Sequence, residues 1–555
     1  GKEQKQKQQQ QQQALGVQLP WVGAKRSSTS FGIQLLDVAT RAAGGSPDPA
    51  LFEGKKWRFG YVPHMVSTVM GFAKADRSLV SSACSLVLEH VYETMRFVDS
   101  KGNETSLKDA MENQDEASIP KFTSKLVGGK KAAYSPKNVG CYYAPFLRET
   151  KTCYKGQELA ELVRSWSVLG TMDASCVHAV RFYNDLHTLD LSDKYFVMLG
   201  ASSEMGPLDF LLNFGANVLA IARPDGKKPK WQPMFKKALF SKGGTLIAPV
   251  MNDTVGADLI TQCPSIARWV VSTVPEGKEI VICSYAYMDG EKFVRVSAAM
   301  DAIITYVLKH AKTNKHKVTL AYIDTPTHVH VVPQTCQKQS KKYFRSAPLY
   351  QKILNSMGVI RAQAYLGPIQ SGPNKGMIAC DGLSTVQGPN YAIAKLIQRV
   401  RAVHSRLNGH KVSMTVGPPT ATWSVLHAPK VGDAARQMYR FKPNDFYRVE
   451  TVKPLLFIFL VNDLLNPTSK ANPPPPLSED DVKNDVAKSS SSSSSSSSPF
   501  DFIVENSWHG GIWESAFLTR SLGPSAYIIA KIEQAAPLVA VLTVLATCTA
   551  YIARR

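Results

Sequence analysis

From about residue 190 to residue 430, apolar residues come in short blocks separated by stretches with helical spacing. The blocks at 195–199, 217–223, 244–250, 279–285, 317–323 and 410–416 are rich in Val, Ile, Leu and Phe and bounded by Gly, Pro or Asn. They predict buried strands. The stretches 207–214, 265–274, 297–312 and 388–399 between them predict helices. Upstream, Leu79, Ala83, Leu86, Leu88, Val91 and Met95 recur at helical spacing within 75–97, and 157–169 repeats the pattern. Leu455 to Val461 is an apolar run too short to span a bilayer and is expected in the core.

Strands alternating with helices predict an α/β protein with a doubly wound, mainly parallel, Rossmann-like sheet. A mostly helical N-terminal extension and a C-terminal helical tail flank it. The expected organisation is a Lys/Gln-rich tail at 1–20 and a mixed, substrate-recognising domain at 21–190. A dinucleotide-binding domain follows at 191–465, then a Pro/Ser-rich linker at 466–499 and a C-terminal segment at 500–555. Right-handed crossovers would put a ligand at the C-terminal edge of the sheet.

The first block ends in Leu199-Gly200-Ala201-Ser202-Ser203-Glu204-Met205-Gly206. Glycine lets a chain turn sharply between strand and helix and approach a pyrophosphate, and a helix N-terminus offers free N–H groups. The same turn also serves α/β domains that hold no cofactor. Further on, Tyr391 and Lys395 stand four apart on a predicted helix, so they share a face. A lysine ammonium beside a tyrosine lowers the phenol's pKa, and such a phenol can exchange a proton with a substrate oxygen. A strand follows, then Gly417-Pro418-Pro419-Thr420.

Taken in this order, the three pieces resemble the short-chain dehydrogenase/reductase family over a little under half of the chain. The resemblance implies that Gly200, Ser202, Ser203 and Gly206 receive the cofactor's phosphates and that Tyr391 and Lys395 are the catalytic pair. It also implies that Gly417 and Thr420 line the nicotinamide site. Glu204 stands where the family has its middle glycine. The window about a dozen residues before Tyr391, where the family has a catalytic serine, reads Ile378-Ala379-Cys380-Asp381, and Ser384 is the nearest candidate. The long gap between turn and tyrosine implies an insertion.

At the end of the second predicted strand stands Arg223, where NAD-binding domains usually place an acid. A cation there suits a 2′-phosphate, so the expected cofactor is NADP, with Asp225 keeping NAD open. His328 and His330 would share a face if extended, but no acid or cysteine lies close in sequence, and no metal is expected. Tyr285 and Tyr287 end a predicted strand and read as an aromatic turn, or as a second source of a phenol.

Composition adds three points. The chain carries 65 Lys and Arg against 44 Asp and Glu, a net +21, spread through 227–237, 338–342 and 399–411. No nucleic-acid module accompanies that charge, so it reads first as a solvated surface and next as a site for an anionic membrane surface or a phosphorylated cofactor. The 9 cysteines are dispersed without metal-ligand spacing, as expected of free thiols in a reducing, intracellular compartment. Residues 535–553 are uncharged and end in Arg554-Arg555, which reads equally as a tail anchor or as a buried terminal helix. Trp508-His509-Gly510-Gly511-Ile512-Trp513 is an aromatic, glycine-rich patch expected to pack back on the main domain or to cover its site.

These readings leave two classes of function. One is an NADP-dependent oxidoreductase reducing a carbonyl or oxidising an alcohol on a small or lipid-like substrate. The other is a non-catalytic Rossmann-type protein that binds a nucleotide or serves as a scaffold. A methyltransferase is a third reading, since strand–glycine-turn–helix units also bind S-adenosylmethionine, but the second predicted strand lacks the terminal acid such enzymes use for the ribose.

Overall fold

The apolar blocks become strands because both of their faces are covered. In the computed structural model, which describes residues 15–54, 56–112, 117–144, 151–227, 229–475 and 498–535, eight strands form the central sheet. They are β1 (Thr123–Gly128), β2 (Lys194–Leu199), β3 (Asn217–Ile221), β4 (Thr245–Met251), β5 (Thr254–Val255), β6 (Glu279–Ser284), β7 (Lys317–Asp324) and β8 (Lys411–Val416). Their order is β5-β4-β3-β2-β6-β7-β8, and β1 pairs antiparallel with β4. Every pairing from β4 through β8 is parallel. Leu199, Ile221, Met251, Ser284, Asp324 and Val416 therefore all end at one edge.

Alternate residues of each strand point to opposite faces. Val197, Leu199, Ile280, Ile282, Leu320 and Met414 belong to one buried cluster. The helices Ser28–Ala42, Trp57–Lys74, Arg77–Thr94, Cys263–Thr273, Glu291–Ala311 and Gly388–Leu407 contribute to the same cluster. Phe196, Met198, Val281 and Cys283 belong to the other. That face is covered by Gly156–Val168, Ser175–Asn184, Leu208–Asn213, Trp231–Leu239 and Val449–Leu465. The run expected at 455–461 lies in the last of these helices and is buried throughout.

The helices of 28–94 share the sheet's own core. Ser28–Ala42, Trp57–Lys74 and Arg77–Thr94 all pack on Gly388–Leu407. At the other end, residues 466–472 are bonded in place at the start of the expected linker. The Val412 N–H donates to the Ala471 carbonyl at 2.9 Å, and Ser469 Oγ to Asp463 at 2.8 Å. The rest of that expected linker lies mostly outside the described residues, as does nearly all of the uncharged stretch 535–553. No described helix is long and apolar enough to cross a membrane.

A second layer sits at the C-terminal edge. Between β7 and the Gly388–Leu407 helix the chain inserts a small antiparallel sheet of Val329–Val332, Ile378–Asp381 and Tyr365–Leu366, with helices Gln334–Ser346 and Leu349–Ser356. The C-terminal segment returns to it. Ala362 bridges Phe517, and the Trp508 N–H donates to the Val416 carbonyl at 2.9 Å. The aromatic patch thus packs back on the sheet edge: Trp508 and Trp513 are almost wholly buried.

Candidate functional site

The loops after β2 and β6 meet because glycine allows it. Gly200 has φ +104°, and a Cβ there would lie 2.6 Å from the Ala286 backbone nitrogen. The Tyr285 N–H donates to the Leu199 carbonyl at 3.0 Å, and the Gly200 and Ala201 N–H groups both donate to the Ile221 carbonyl. Gly206 fits because Met198 and Tyr285 leave no room for a larger side chain. Ser202 and Glu204 are exposed and Ser203 half-buried.

Two features of this turn differ from expectation. The helix after it is short, Leu208–Asn213, with Pro207 rather than Gly206 at its N-cap. Glu204 points away from the turn, and its Oε2 accepts from the Trp423 N–H at 3.0 Å. The acid in the middle glycine's place thus ties the first loop to the loop after β8.

Arg223 stands exposed just past β3, and among the described residues no acid pairs with it. Asp225 is committed in part: its Oδ1 accepts from the Lys230 and Trp231 N–H groups (2.6 and 3.2 Å) at the start of the Trp231–Leu239 helix. Its other oxygen, Oδ2, remains an acceptor, so a ribose contact stays open to it.

Tyr391 and Lys395 lie in the first turns of the Gly388–Leu407 helix, which joins the insertion to β8. Tyr391 is half-buried, with ring centroids 5.4 Å from Phe293 and 6.2 Å from Tyr287. Tyr287 directly follows Ala286, the residue against Gly200. The phenol therefore stands on the same edge as the glycine turn, across the β6 loop. Its hydroxyl lies near the polar side chains of Thr325 and Gln387, which favour the phenolate. Thr325, buried just past β7, also meets the Thr327 hydroxyl at 2.7 Å.

Two expectations about the pair fail. Lys395 Nζ donates to the Ile323 carbonyl at 2.7 Å and to Gln398 Oε1 at 3.1 Å, within a buried setting. Burial pulls its amine down to about 8. The phenol of Tyr391 is not lowered but pushed up to about 12, chiefly by burial, which Thr325 and Gln387 only partly offset. The shared helix face brings the residues together, but the amine is spent on the end of β7. Ser384 lies in the turn before the helix, where its carbonyl accepts from the Gly388 N–H at 3.4 Å.

Thr325, the hydroxyl residue near the phenol, escaped sequence reasoning because residues 326–390 intervene. The usable signal was its place at the end of a predicted strand, where α/β proteins put functional groups.

Beside the pair lies a buried polar network. Arg399 Nε donates to Asp324 Oδ2 at 2.7 Å, and its two terminal nitrogens reach His328 Nδ1 at 2.8 Å and His330 Nε2 at 2.6 Å. His328 Nδ1 also accepts from the Val329 N–H at 2.9 Å, so its proton sits on Nε2, facing the Ala392 carbonyl at 3.2 Å. Burial, and then the guanidinium, hold both imidazoles well below their usual pKa. His328 accepts from the arginine, while His330 Nε2 lies between the guanidinium and the Thr325 carbonyl, 2.8 Å away. Among the described residues no group of histidines, cysteines and acids could hold a metal. The eight cysteines described are free, and all but Cys153 are buried.

The last loop is closely fitted. The Gly417 N–H donates to the Asp324 carbonyl at 3.1 Å, and Thr420 Oγ1 donates to the Pro418 carbonyl at 2.7 Å. Thr420 pairs with Tyr447, and a Cβ on Gly510 would lie 2.4 Å from Pro419. A cavity of about 490 Å³ opens at the opposite edge of the sheet, beside Tyr195, Asn217, Thr245 and Trp269, and has no charged lining residue. Comparison with protein-family models and with curated protein sequences gives no match.

Proposed function

We propose that this chain is an NADP-dependent oxidoreductase of Rossmann type that acts on a carbonyl or alcohol of a small or lipid-like substrate. The observation that carries the reading is that the Gly200 turn, the β6 loop and Tyr391 stand together at one sheet edge. Numbered in chain order, the parallel strands run 3-2-1-4-5-6, the order of dinucleotide-binding domains, and the turn follows the first of them at the point where the order reverses.

The residues fit the cofactor in part. The exposed Ser202 hydroxyl and the unpaired Arg223 guanidinium would hold the phosphates and the 2′-phosphate. Bound NADP(H) supplies or accepts the hydride. Tyr391 exchanges the proton with the substrate oxygen, and Thr325 takes the part of the family's serine by orienting the phenol. Lys395 supplies positive charge near the reacting oxygen and the ribose. A phenol pushed up to about 12 keeps its proton at neutral pH but gives it up less readily than a free phenol, so this route needs the bound cofactor or substrate to lower it.

The test is titration of the purified chain with NADPH, NADH and S-adenosylmethionine, followed by NADPH oxidation against a panel of ketones and aldehydes. NADPH should bind preferentially. Tyr391→Phe should lower turnover by about a hundredfold or more and leave NADPH binding unchanged. A chain that binds none of the three ligands has a different function.

A second reading, a nucleotide-binding protein without redox turnover, is favoured by two observations. Glu204 bridges the first loop to the Trp423 N–H, and the Gly417 and Thr420 donors are used within the protein. Tight NADPH binding with no turnover on any carbonyl would select it.

A further inference from the structure

Part of the chain's positive charge stands on one face of one helix. On the Gln334–Ser346 helix, Lys338, Lys341, Lys342 and Arg345 stand at positions i, i+3, i+4 and i+7 and so share a face. All four are exposed, and among the described residues none has an acidic partner. The opposite face of the helix, with Cys336 and Ser340, is buried. Ala347 and Pro348 turn the chain into the Leu349–Ser356 helix, and Lys352 Nζ reaches back to the Arg345 carbonyl at 2.8 Å. Along this second helix Leu349, Ile353 and Met357 form a stripe that is 73%, 49% and 69% exposed.

We infer that these two helices form a docking face for an anionic bilayer surface. Exposed aliphatic side chains at fourfold spacing are costly in water and gain by entering the headgroup boundary. Unpaired lysines beside them are what an acidic leaflet attracts. A nucleic acid would use the cations but leave the aliphatic stripe in water. The same small subdomain carries a second exposed apolar pair, Ile528 and Ile532. They lie on the helical segment 519–535, which precedes the uncharged sequence 535–553, and Ile529 there packs in one cluster with Leu354. The surface does not depend on the redox reading, and a protein with no oxidoreductase activity would still carry it.

The experiment is flotation of the full chain with vesicles of phosphatidylcholine alone and of phosphatidylcholine with about a third phosphatidylserine. Three double variants are compared with it after thermal melting shows them folded. Lys341→Glu with Lys342→Glu changes the docking face. Lys312→Glu with Lys317→Glu makes the same change of net charge at the opposite edge of the sheet. Ile353→Ser with Met357→Ser removes the stripe. Binding to the anionic vesicles should fall at least about tenfold for the first and third variants and less than twofold for the second. Equal losses for both charge reversals would make the attraction non-specific and overturn the inference. So would undiminished vesicle binding by the first and third variants, or loss of binding to an oligonucleotide rather than to vesicles on reversing Lys341 and Lys342.

Discussion

At the scale of single residues, the environment of a side chain matters more than its spacing. Tyr391 and Lys395 have the four-residue separation of a proton-transfer pair, yet burial drives their pKa values towards neutral forms: the phenol to about 12, the amine to about 8. Lys395 offers a clean measurement. An unfolded lysine titrates near 10.5 and the folded one near 8, so between these values the unfolded chain holds more protons. The wild type should therefore gain stability relative to Lys395→Met as pH rises from about 8 to 10.5. The slope should be at most about 1.4 kcal/mol per pH unit. Urea unfolding of both proteins across that window gives the difference, and a flat difference would mean that the folded amine is not perturbed. Arg223→Ala should weaken NADPH binding about tenfold or more while changing NADH binding little, if its guanidinium meets the 2′-phosphate. Isothermal titration with both nucleotides decides that point.

At the scale of elements, the Gly388–Leu407 helix organises the region. It is fixed at its middle by Arg399 to Asp324 and by Arg401 to Asp301. Arg401 Nε and Nη2 lie 2.6 and 3.0 Å from the Asp301 carboxylate, and Nη2 lies 2.7 Å from Thr305 Oγ1. Asp301 also accepts from the Tyr92 hydroxyl at 2.7 Å, which joins the N-terminal helices to the sheet's covering layer. Removing one charge of such a buried pair strands the other. Asp301→Ala should cost about 3–5 kcal/mol of unfolding free energy, whereas Asp301→Leu combined with Arg401→Met should cost markedly less. Equilibrium denaturation of both variants tests this, and equal losses would count against the isolated-charge argument.

At the scale of the whole molecule, the C-terminal segment is part of the core rather than an appendage. Trp508, Ile512, Trp513 and Phe517 are buried against the sheet edge and the insertion, and Arg520 Nη1 pairs with Asp381 at 2.6 Å. A protease site engineered into the serine run 489–498 and then cut should leave two fragments that elute together in size-exclusion chromatography. Separation of the fragments under native conditions would show that the segment docks weakly.

Much of this was legible in the chain itself. Each apolar block from 195 to 416 became a parallel strand within one or two residues of its expected bounds, because strands buried on both faces must be apolar throughout. Helices were less readable: those predicted formed, but Glu291–Ala311 begins six residues before the expected 297 because Phe293 and Val294 are also buried, and Ser28–Ala42, Trp57–Lys74, Ser175–Asn184, Trp231–Leu239 and Gln334–Ser346 were not foreseen. The partners of particular groups were not legible. Thr325 lies near Tyr391 across 65 intervening residues, Glu204 reaches Trp423, and Arg399 gathers Asp324, His328 and His330. Periodicity is a local property, set by which face of an element meets water, and the sequence by itself therefore determined the strands, several of the helices and the α/β class. Hydrogen-bond partners and burial depend on residues far apart in the chain, so only the tertiary structure decided what surrounds the phenol, which carbonyl holds the lysine and which loop Glu204 ties down.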